Sequence, residues 1–321
     1  MTQLPEQFVK LARSQLGEDE KQIQAHLISF RRWLKSMPHL SCPEDDVFLL
    51  NFLRWSKYNH AKAQKRLDNF CTLVSSEGIS NRIWSSPVDI TDDNLKKYLK
   101  AGIHVPLGKT KEGIQVMLIR MGAWDPTEIP TDVVFFGAFK VMMMQLLDPT
   151  TVIGGMCVVF DLSGVSSRHM QQASDAKAPA KMIRFLQESA PFRLKKLIYC
   201  NESHVFDAMF SIFSFYMNEK LKSRILRVGT NMETAYEAIS GLKDVLPKEL
   251  GGNSKAVAEL TEENEQRFLQ QYGSSDFTTQ ILADESKRPA SAQNLLKEYK
   301  EYNPKVMGAS GTFVRLQDDD I

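Results

Sequence analysis

The sequence predicts an α/β protein in which a helical N-terminal bundle precedes a mostly parallel sheet with crossover helices. Three observations predict it. Apolar residues recur at helical spacing through the first 80 or so positions, short apolar runs alternate with helical stretches between residues 114 and 228, and a Gly-Gly at 251–252 is followed by one more helical pattern and a polar end.

Each element has its own signal. Over residues 22–34, Ile23, Leu27, Phe30 and Leu34 fall at i, i+4, i+7 and i+11 on one helical face, and Pro38 and Pro43 then interrupt the chain. Residues 44–55 form a second helix, with Val47, Leu50 and Leu53 in an apolar stripe widened by Phe48 and Phe52. Asn59 is placed to cap a third, carrying Leu67, Phe70, Cys71 and Val74 on one side. Strands are expected over 114–120, after Lys111-Glu112-Gly113, over 156–162, ended by Ser163-Gly164, over 195–201, and over 225–228. Between them lie helices over 132–147, 180–189 and 204–222, which implies parallel strands joined by crossovers. A last helix is expected over 262–272. The predicted organisation is a helical domain over 1–85, a sheet domain over 86–275 and a loosely packed polar tail over 276–321.

Composition narrows the function. Hydrophobic residues make up 43% and charged residues 25% of the 321, ordinary for a globular chain. Forty Lys and Arg nearly balance 39 Asp and Glu, so no molecule-wide field exists to hold nucleic acid, and any charged partner must be met by a local patch. Cys42, Cys71, Cys157 and Cys200 form no C-x-x-C pair, consistent with free thiols in a reducing compartment. The N-terminus lacks a secretory pattern. The most apolar stretch, 205–217, is too short to span a bilayer, so a soluble, cytoplasmic protein is expected.

Familiar catalytic motifs are missing. The stretch from Gly102 to Gly108-Lys109-Thr110 has one residue too many for a phosphate loop, leads into a strand rather than a helix, and contains Pro106, which has no amide to offer. There is no G-x-S-x-G, the six histidines form no H-E-x-x-H or i, i+4 pair, and Gly154-Gly155 precedes a strand instead of following one. No cofactor or metal is expected.

Two segments speak more directly. Val205, Phe206, Met209, Phe210, Phe213 and Met217 recur at helical spacing, and Ile212, Phe215 and Tyr216 extend the apolar surface round the helix. A buried core helix has this pattern, and so does a movable lid that covers an apolar cavity and meets a membrane when open. Nearby lie Arg193, Lys195 and Lys196, and then Lys220, Lys222, Arg224 and Arg227, either a solvated edge or a surface for anionic headgroups. Met142-Met143-Met144, after Phe135, Phe136 and Phe139, suits the wall of an irregular cavity or simply fills core.

Read in order, several blocks resemble the CRAL-TRIO family, within the group of α-tocopherol transfer protein and cellular retinaldehyde-binding protein. They are Asp46 to Phe52-Leu53-Arg54, Trp124-Asp125-Pro126, Val159 to Gly164, Glu188 to Lys195 with Asn201-Glu202, Glu219 to Ile225, and Leu246 to Gly252. The resemblance covers roughly residues 15–275. It implies a non-enzymatic carrier that closes one hydrophobic lipid, a retinoid, a tocopherol or similar, in a cavity over the sheet. The helix near 204–222 would be its lid. By the same resemblance the pocket comprises Phe135, Ala138, Phe139, Met142, Met156, Phe160, Met182, Phe185, Leu186, Phe192 and Leu197. Arg193, Lys195, Lys220 and Arg224 would bind phosphoinositide headgroups, so the partners are one lipid and, transiently, a membrane. The chain is expected to be a monomer.

Departures from the family pattern are Ser56 where relatives carry Arg, Asn201-Glu202-Ser203 for Asn-Glu-Pro, and Ser214-Phe215-Tyr216 for the Lys-Pro-Phe of the lid, which would straighten the helix by removing a proline. Ala138 and Met142 stand where the tocopherol carrier has serines. Two other readings stay open on the sequence. One is a small-molecule enzyme with a dispersed active site, for which Ser166 and Ser167 beside His169 supply the one local nucleophile–base pairing. The other is a protein-interaction module that uses the lid helix.

Overall fold

A computed structural model describes residues 4–76, 83–173, 177–290 and 292. The chain starts with α1 (Glu6–Leu11), which runs into a π-turn at Ala12–Leu16, and then α2 (Ile23–Lys35). After a two-residue strand β1 (Leu40–Ser41) come α3 (Asp46–Trp55) and α4 (His60–Ser75). Their starts follow from side-chain caps. The Asp45 carboxylate accepts from the Phe48 amide at 3.0 Å, and the Asn59 side chain accepts from the Lys62 amide at 3.1 Å. The face of α2 predicted to be apolar, Leu27, Phe30 and Leu34, is buried.

Five strands form the main sheet in the order β2 (His104–Lys109), β3 (Gln115–Arg120), β4 (Met156–Asp161), β5 (Leu194–Cys200), β6 (Ile225–Gly229). The first pair is antiparallel and the rest are parallel. β2 is a strand that the sequence reading missed. It occupies the stretch examined as a phosphate loop, and Pro106 is tolerated because β2 is an edge strand. Helices fill the connections: α5 (Asp93–Ala101) before β2; α6 (Thr131–Leu146) and α7 (Pro149–Gly154) between β3 and β4; and α8 (Ser167–Ala173) and α9 (Lys177–Arg184) between β4 and β5. The expected helix over 180–189 ends instead in a π-turn at Phe185–Ser189.

The expected single helix over 204–222 is two. α10 (His204–Phe215) stops at Tyr216, and α11 (Glu219–Lys222) restarts with Asn218 as its cap, accepting from the Leu221 amide at 2.9 Å. Loss of the family's proline therefore does not straighten this stretch, because Asn218 favours a new helix start. Beyond β6 come α12 (Glu233–Ala238), α13 (Leu242–Val245), α14 (Val257–Ser274) and a short β7 (Leu282–Ala283).

Strand alternation sorts side chains between two layers. Val116, Leu118, Cys157, Val159, Ile198 and Cys200 pack under Ala235, Leu242, Val257 and Leu260 from α12 to α14. Met117, Met156, Val158, Leu197 and Tyr199 face the other way. They share one core with α2–α6, the Phe185 turn and Phe206 of α10. The N-terminal helices are thus continuous with the sheet's core. Asn51 donates to the Leu146 carbonyl at 3.0 Å, and Arg66 donates to the Gln187 and Ala190 carbonyls at 2.5 and 2.7 Å.

The expectation of a loose tail from residue 276 is corrected by three contacts. Buried Lys140 donates to Asp276 at 3.0 Å and to Thr278, Ile281 is fully buried, and Arg288 grips both Asp68 carboxylate oxygens at 2.8 Å. β7 also pairs antiparallel with β1, Leu40 opposite Ala283. The remainder of the expected tail, residues 293–321, lies outside the described residues.

Candidate functional site

The layer between the sheet and α10 is built from aromatic rings. Phe160 on β4 stacks on Tyr199 of β5 with centroids 4.7 Å apart, and Tyr199 meets Phe206 at 5.0 Å and Phe210 at 5.8 Å. Phe160 and Tyr199 sit directly opposite each other in the β4–β5 register, which is why a sheet floor can present them as a pair. Tyr199 was not among the expected lining residues, although its parity with Leu197 carried the signal.

The expected pocket residues fall into two groups. Phe135, Met142, Phe160, Met182 and Leu186 are half-buried, keeping accessible apolar surface. Ala138, Phe139, Met156, Phe185, Phe192 and Leu197 are buried. Phe139 and Phe185 have no accessible surface and close with Trp84 into a separate aromatic cluster. The Trp84–Phe139 centroids are 5.1 Å apart and the Trp84–Phe185 centroids 5.2 Å apart, so both phenylalanines back the wall instead of lining a space. On α10 and its continuation, Phe206 and Met217 are buried and Phe210 and Phe213 half-buried; the side chains of Val205 and Met209 lie outside the described ones. Phe215 points outward, 62% exposed.

The basic residues separate into those with acidic partners and those without. Arg227 pairs with Asp207 at 2.6 Å and with Glu202, and Lys222 pairs with Glu219 at 3.0 Å. Lys195, Lys220 and Arg224 have no carboxylate within ion-pair distance among the described residues, and Arg193 bonds only to the Ile153 carbonyl and the Gln15 side chain, at 2.5 and 2.9 Å.

A β-bulge places Lys195. Met156 pairs with Leu194 and Cys157 with Lys196, which leaves Lys195 out of register and leaning over Gly155, where a Cβ would meet its stem and the Arg193 carbonyl. Gly155 also has φ +86, so glycine is required there twice over.

Burial depresses every member of the set, and repulsion from neighbouring cations adds to it for Arg193, Lys195 and Lys220. The Arg193 guanidinium is lowered by burial and by Arg224, and Lys195 by burial, Arg193 and Arg224 against a small opposing pull from Glu112. Lys220 is lowered by burial and then by Arg224, Arg66, Lys62 and Lys57, and Arg224 by burial. Sequence reasoning noted Lys57 only as the cation next to Ser56 and missed Lys62 and Arg66, because nothing local ties residues 57–66 to residue 220.

A cavity of about 300 Å³ opens beside Lys195, lined also by Gln7, Leu11, Gln15, Glu112, Ile114 and Gly154. None of the expected lipid-lining residues borders it.

The serine–histidine pairing is a helix cap. His169 Nδ1 accepts from both the Ser166 amide and the Ser166 hydroxyl at 3.0 Å, while Nε2 donates to the Trp124 carbonyl at 2.8 Å. Both ring nitrogens are committed to holding the start of α8, in the manner of a capping box. Among the described residues no three His, Cys, Asp or Glu side chains could hold a metal ion, and no helix is long and apolar enough to cross a membrane. All four cysteines are free thiols.

This sheet, floored by aromatic and aliphatic groups, has the mostly parallel α/β order that the sequence predicts. The CRAL/TRIO domain model matches residues 99–252, the segment that holds all five strands of the main sheet and α10. Among curated relatives, the chain is 28% identical over 255 residues to the alpha-tocopherol transfer protein-like protein of Mus musculus, covering 78% of this chain and 71% of that one. It is 24% identical over 254 residues to clavesin-2 of Homo sapiens, covering 77% and 74%. Among solved structures, the crystal structure of Sfh5 covers 86% of this chain and all of its own at 13% identity, with a TM-score of 0.48.

Proposed function

We propose that this protein carries one hydrophobic lipid between the sheet and α10, without chemistry, and exchanges it at phosphoinositide-containing membranes when α10 lifts as a lid. The observation that carries the reading is the set of large apolar side chains left only half covered, Phe135 on α6 together with Met142, Phe160, Met182 and Leu186, the last four against the same core cluster that Phe206, Phe210 and Phe213 of α10 join. Apolar surface in that position gains about 25 cal/mol per Å² when an apolar chain replaces water against it. A retinoid, a tocopherol or a similar isoprenoid has the matching chemistry, and Ala138 and Met142 give it an apolar wall.

Arg193, Lys195, Lys220 and Arg224 support the membrane half of the reading. Among the described residues these cations have no carboxylate at ion-pair distance, and Arg193, Lys195 and Lys220 are depressed by neighbouring cations, so an anionic headgroup relieves repulsion as well as adding attraction. Phe215, exposed three residues before Asn218, is placed to enter the same bilayer. Headgroup binding then favours whichever position of α10 lets both groups reach the membrane. In operation the carrier is cytoplasmic and monomeric, with transient contact at membranes.

Two measurements test this. Native mass spectrometry of the purified protein is expected to show one bound lipid per chain, released by organic extraction. Replacing Lys220 and Arg224 with Ala is expected to leave that loading intact while slowing transfer to vesicles containing phosphoinositide about thirtyfold, by loss of roughly 1 kcal/mol per cation near the surface. Equal transfer rates for variant and parent remove the proposed role of the cations, and a protein that never carries lipid removes the carrier itself.

A further inference from the structure

We propose that α10 is a flap hinged at its C-terminal end and released at its N-terminal end, with Gln187 as the hinge clamp and Arg227 as the clasp. The inference rests on the reading of α10 as a lid and states which way it opens. The two ends are held by different kinds of interaction.

At the C-terminal end the grip is on the main chain. The Gln187 side chain donates from Nε2 to the Tyr216 carbonyl at 3.1 Å and accepts at Oε1 from the Asn218 amide at 2.7 Å, spanning the break between α10 and α11. Met217, between those residues, is buried. Gln187 is itself anchored, since its carbonyl accepts from Arg66, whose guanidinium lies 3.2 Å from the Trp55 ring centroid in the N-terminal bundle. Asn69 of the same helix donates to the Glu188 carbonyl at 3.2 Å. The π-turn that carries Gln187 is therefore bolted to α4, and through it the hinge is bolted to the bundle.

At the N-terminal end Phe206 packs on Tyr199, and the polar grip around it is ionic and partly exposed. Arg227, on the edge strand β6, donates to Glu202 at 2.5 Å and to Asp207 at 2.6 Å, and lies 5.6 and 5.4 Å from the Phe206 and Phe210 rings. The Arg227 and Asp207 side chains are 39% and 53% exposed and Glu202 10%, so the Asp207 pair is the more open of the two. Salt and competing anions weaken pairs of that kind. The first turn of α10 also lacks a side-chain cap, because Ser203 makes none. Parity on β6 puts Arg227 on the same sheet face as Ile225, under α10, so this one residue reaches the helix at its start. Gln187 and Arg227 are positioning residues: neither needs to touch the lipid.

Hydrogen exchange on the full chain, read by mass spectrometry, tests the direction of opening and does not depend on the identity of the lipid. In the parent protein, amides over 204–210 are expected to exchange faster than those over 213–217. Arg227→Met keeps the contact with Phe206 and Phe210 but removes the charge, and is expected to speed exchange over 204–210 about three- to fivefold while leaving 213–217 unchanged. Gln187→Leu is expected to do the converse. Gln187→Glu, which keeps the acceptor for Asn218 and loses the donor for Tyr216, is expected to fall between. An Arg227→Met protein with parental exchange over 204–210, or a parent that opens first at 213–217, overturns the proposal. Absence of any bound lipid together with the expected exchange pattern would remove the carrier reading and leave the hinge in place.

Discussion

Arg54 ends the Phe-Leu-Arg block of α3 and is almost wholly buried, donating to both oxygens of Glu18 at 2.7 and 2.9 Å. Tyr58 completes the set with a 2.6 Å hydrogen bond to Glu18. Burial alone would raise the Glu18 pKa, but the hydrogen bond and charge of Arg54 outweigh it and hold the carboxyl below its ordinary value. Replacing Arg54 with Met strands a buried carboxylate and is expected to lower unfolding free energy by about 3–5 kcal/mol in urea titrations near neutral pH. Because the folded pKa lies below the unfolded one, the parent's contribution is complete above the unfolded value of 4.5 and fades as pH falls through the folded value. The variant's deficit should therefore shrink in acid.

Lys140 works with the opposite sign. Burial lowers its pKa to about 8 from 10.5, against the pull of Asp276. Between those values the unfolded chain holds a proton that the folded chain has released, so stability rises with pH across the window. The difference in urea midpoint between the parent and Lys140→Met is expected to shift in the parent's favour between pH 7.5 and roughly 9.5. Taking the difference cancels the buried groups whose raised pKa values act in the other direction in both proteins, Cys71, Cys157 and Cys200 in this window and Tyr98 and Tyr272 above it.

At the scale of elements, periodicity located the helices and strands, and caps set their starts. α2, α3, α4 and α6 fall within a few residues of where apolar spacing put them, because a 3.6-residue stripe has one way to bury itself. What the spacing could not show is interruption. Nothing in the apolar pattern from Val205 to Leu221 changes at Met217, yet the chain turns there, because the Asn218 cap and the Gln187 amide offer the backbone partners that a continuous helix would not use. β2 was missed for a related reason. A strand that contains Pro106 and Gly108 has poor local propensity, and it forms because β3 supplies an antiparallel partner.

Taken as a whole, the molecule has one core shared by the N-terminal helices and the lid-side face of the sheet. Phe30, Phe52 and Phe70 belong to the same cluster as Phe139, Tyr199 and Phe206. A chain begun at residue 86 would leave the Phe185 turn, Ala190 and Trp84's partners uncovered, and is expected to aggregate or to expose dye-binding apolar surface instead of unfolding cooperatively. Recovery of a soluble, cooperatively unfolding fragment would contradict the shared core. The same continuity lets the bundle hold the hinge of α10 through Arg66 and Gln187.

By itself the sequence determined the α/β class, the positions of most elements, and, through its resemblance to a family, which apolar and basic residues to examine. These are local properties, set by periodicity, capping and composition. Tertiary structure decided which of those residues have company. It enclosed Phe139 and Phe185 behind the wall, neutralised Arg227 with Glu202 and Asp207 while leaving Lys195, Lys220 and Arg224 without carboxylates, brought Lys57, Lys62 and Arg66 into the field of Lys220, and packed residues 276–288 onto α4 and α6. Contacts between residues more than a hundred positions apart, such as Arg66 with Ala190, leave no trace in local spacing, because they follow from how the elements stack.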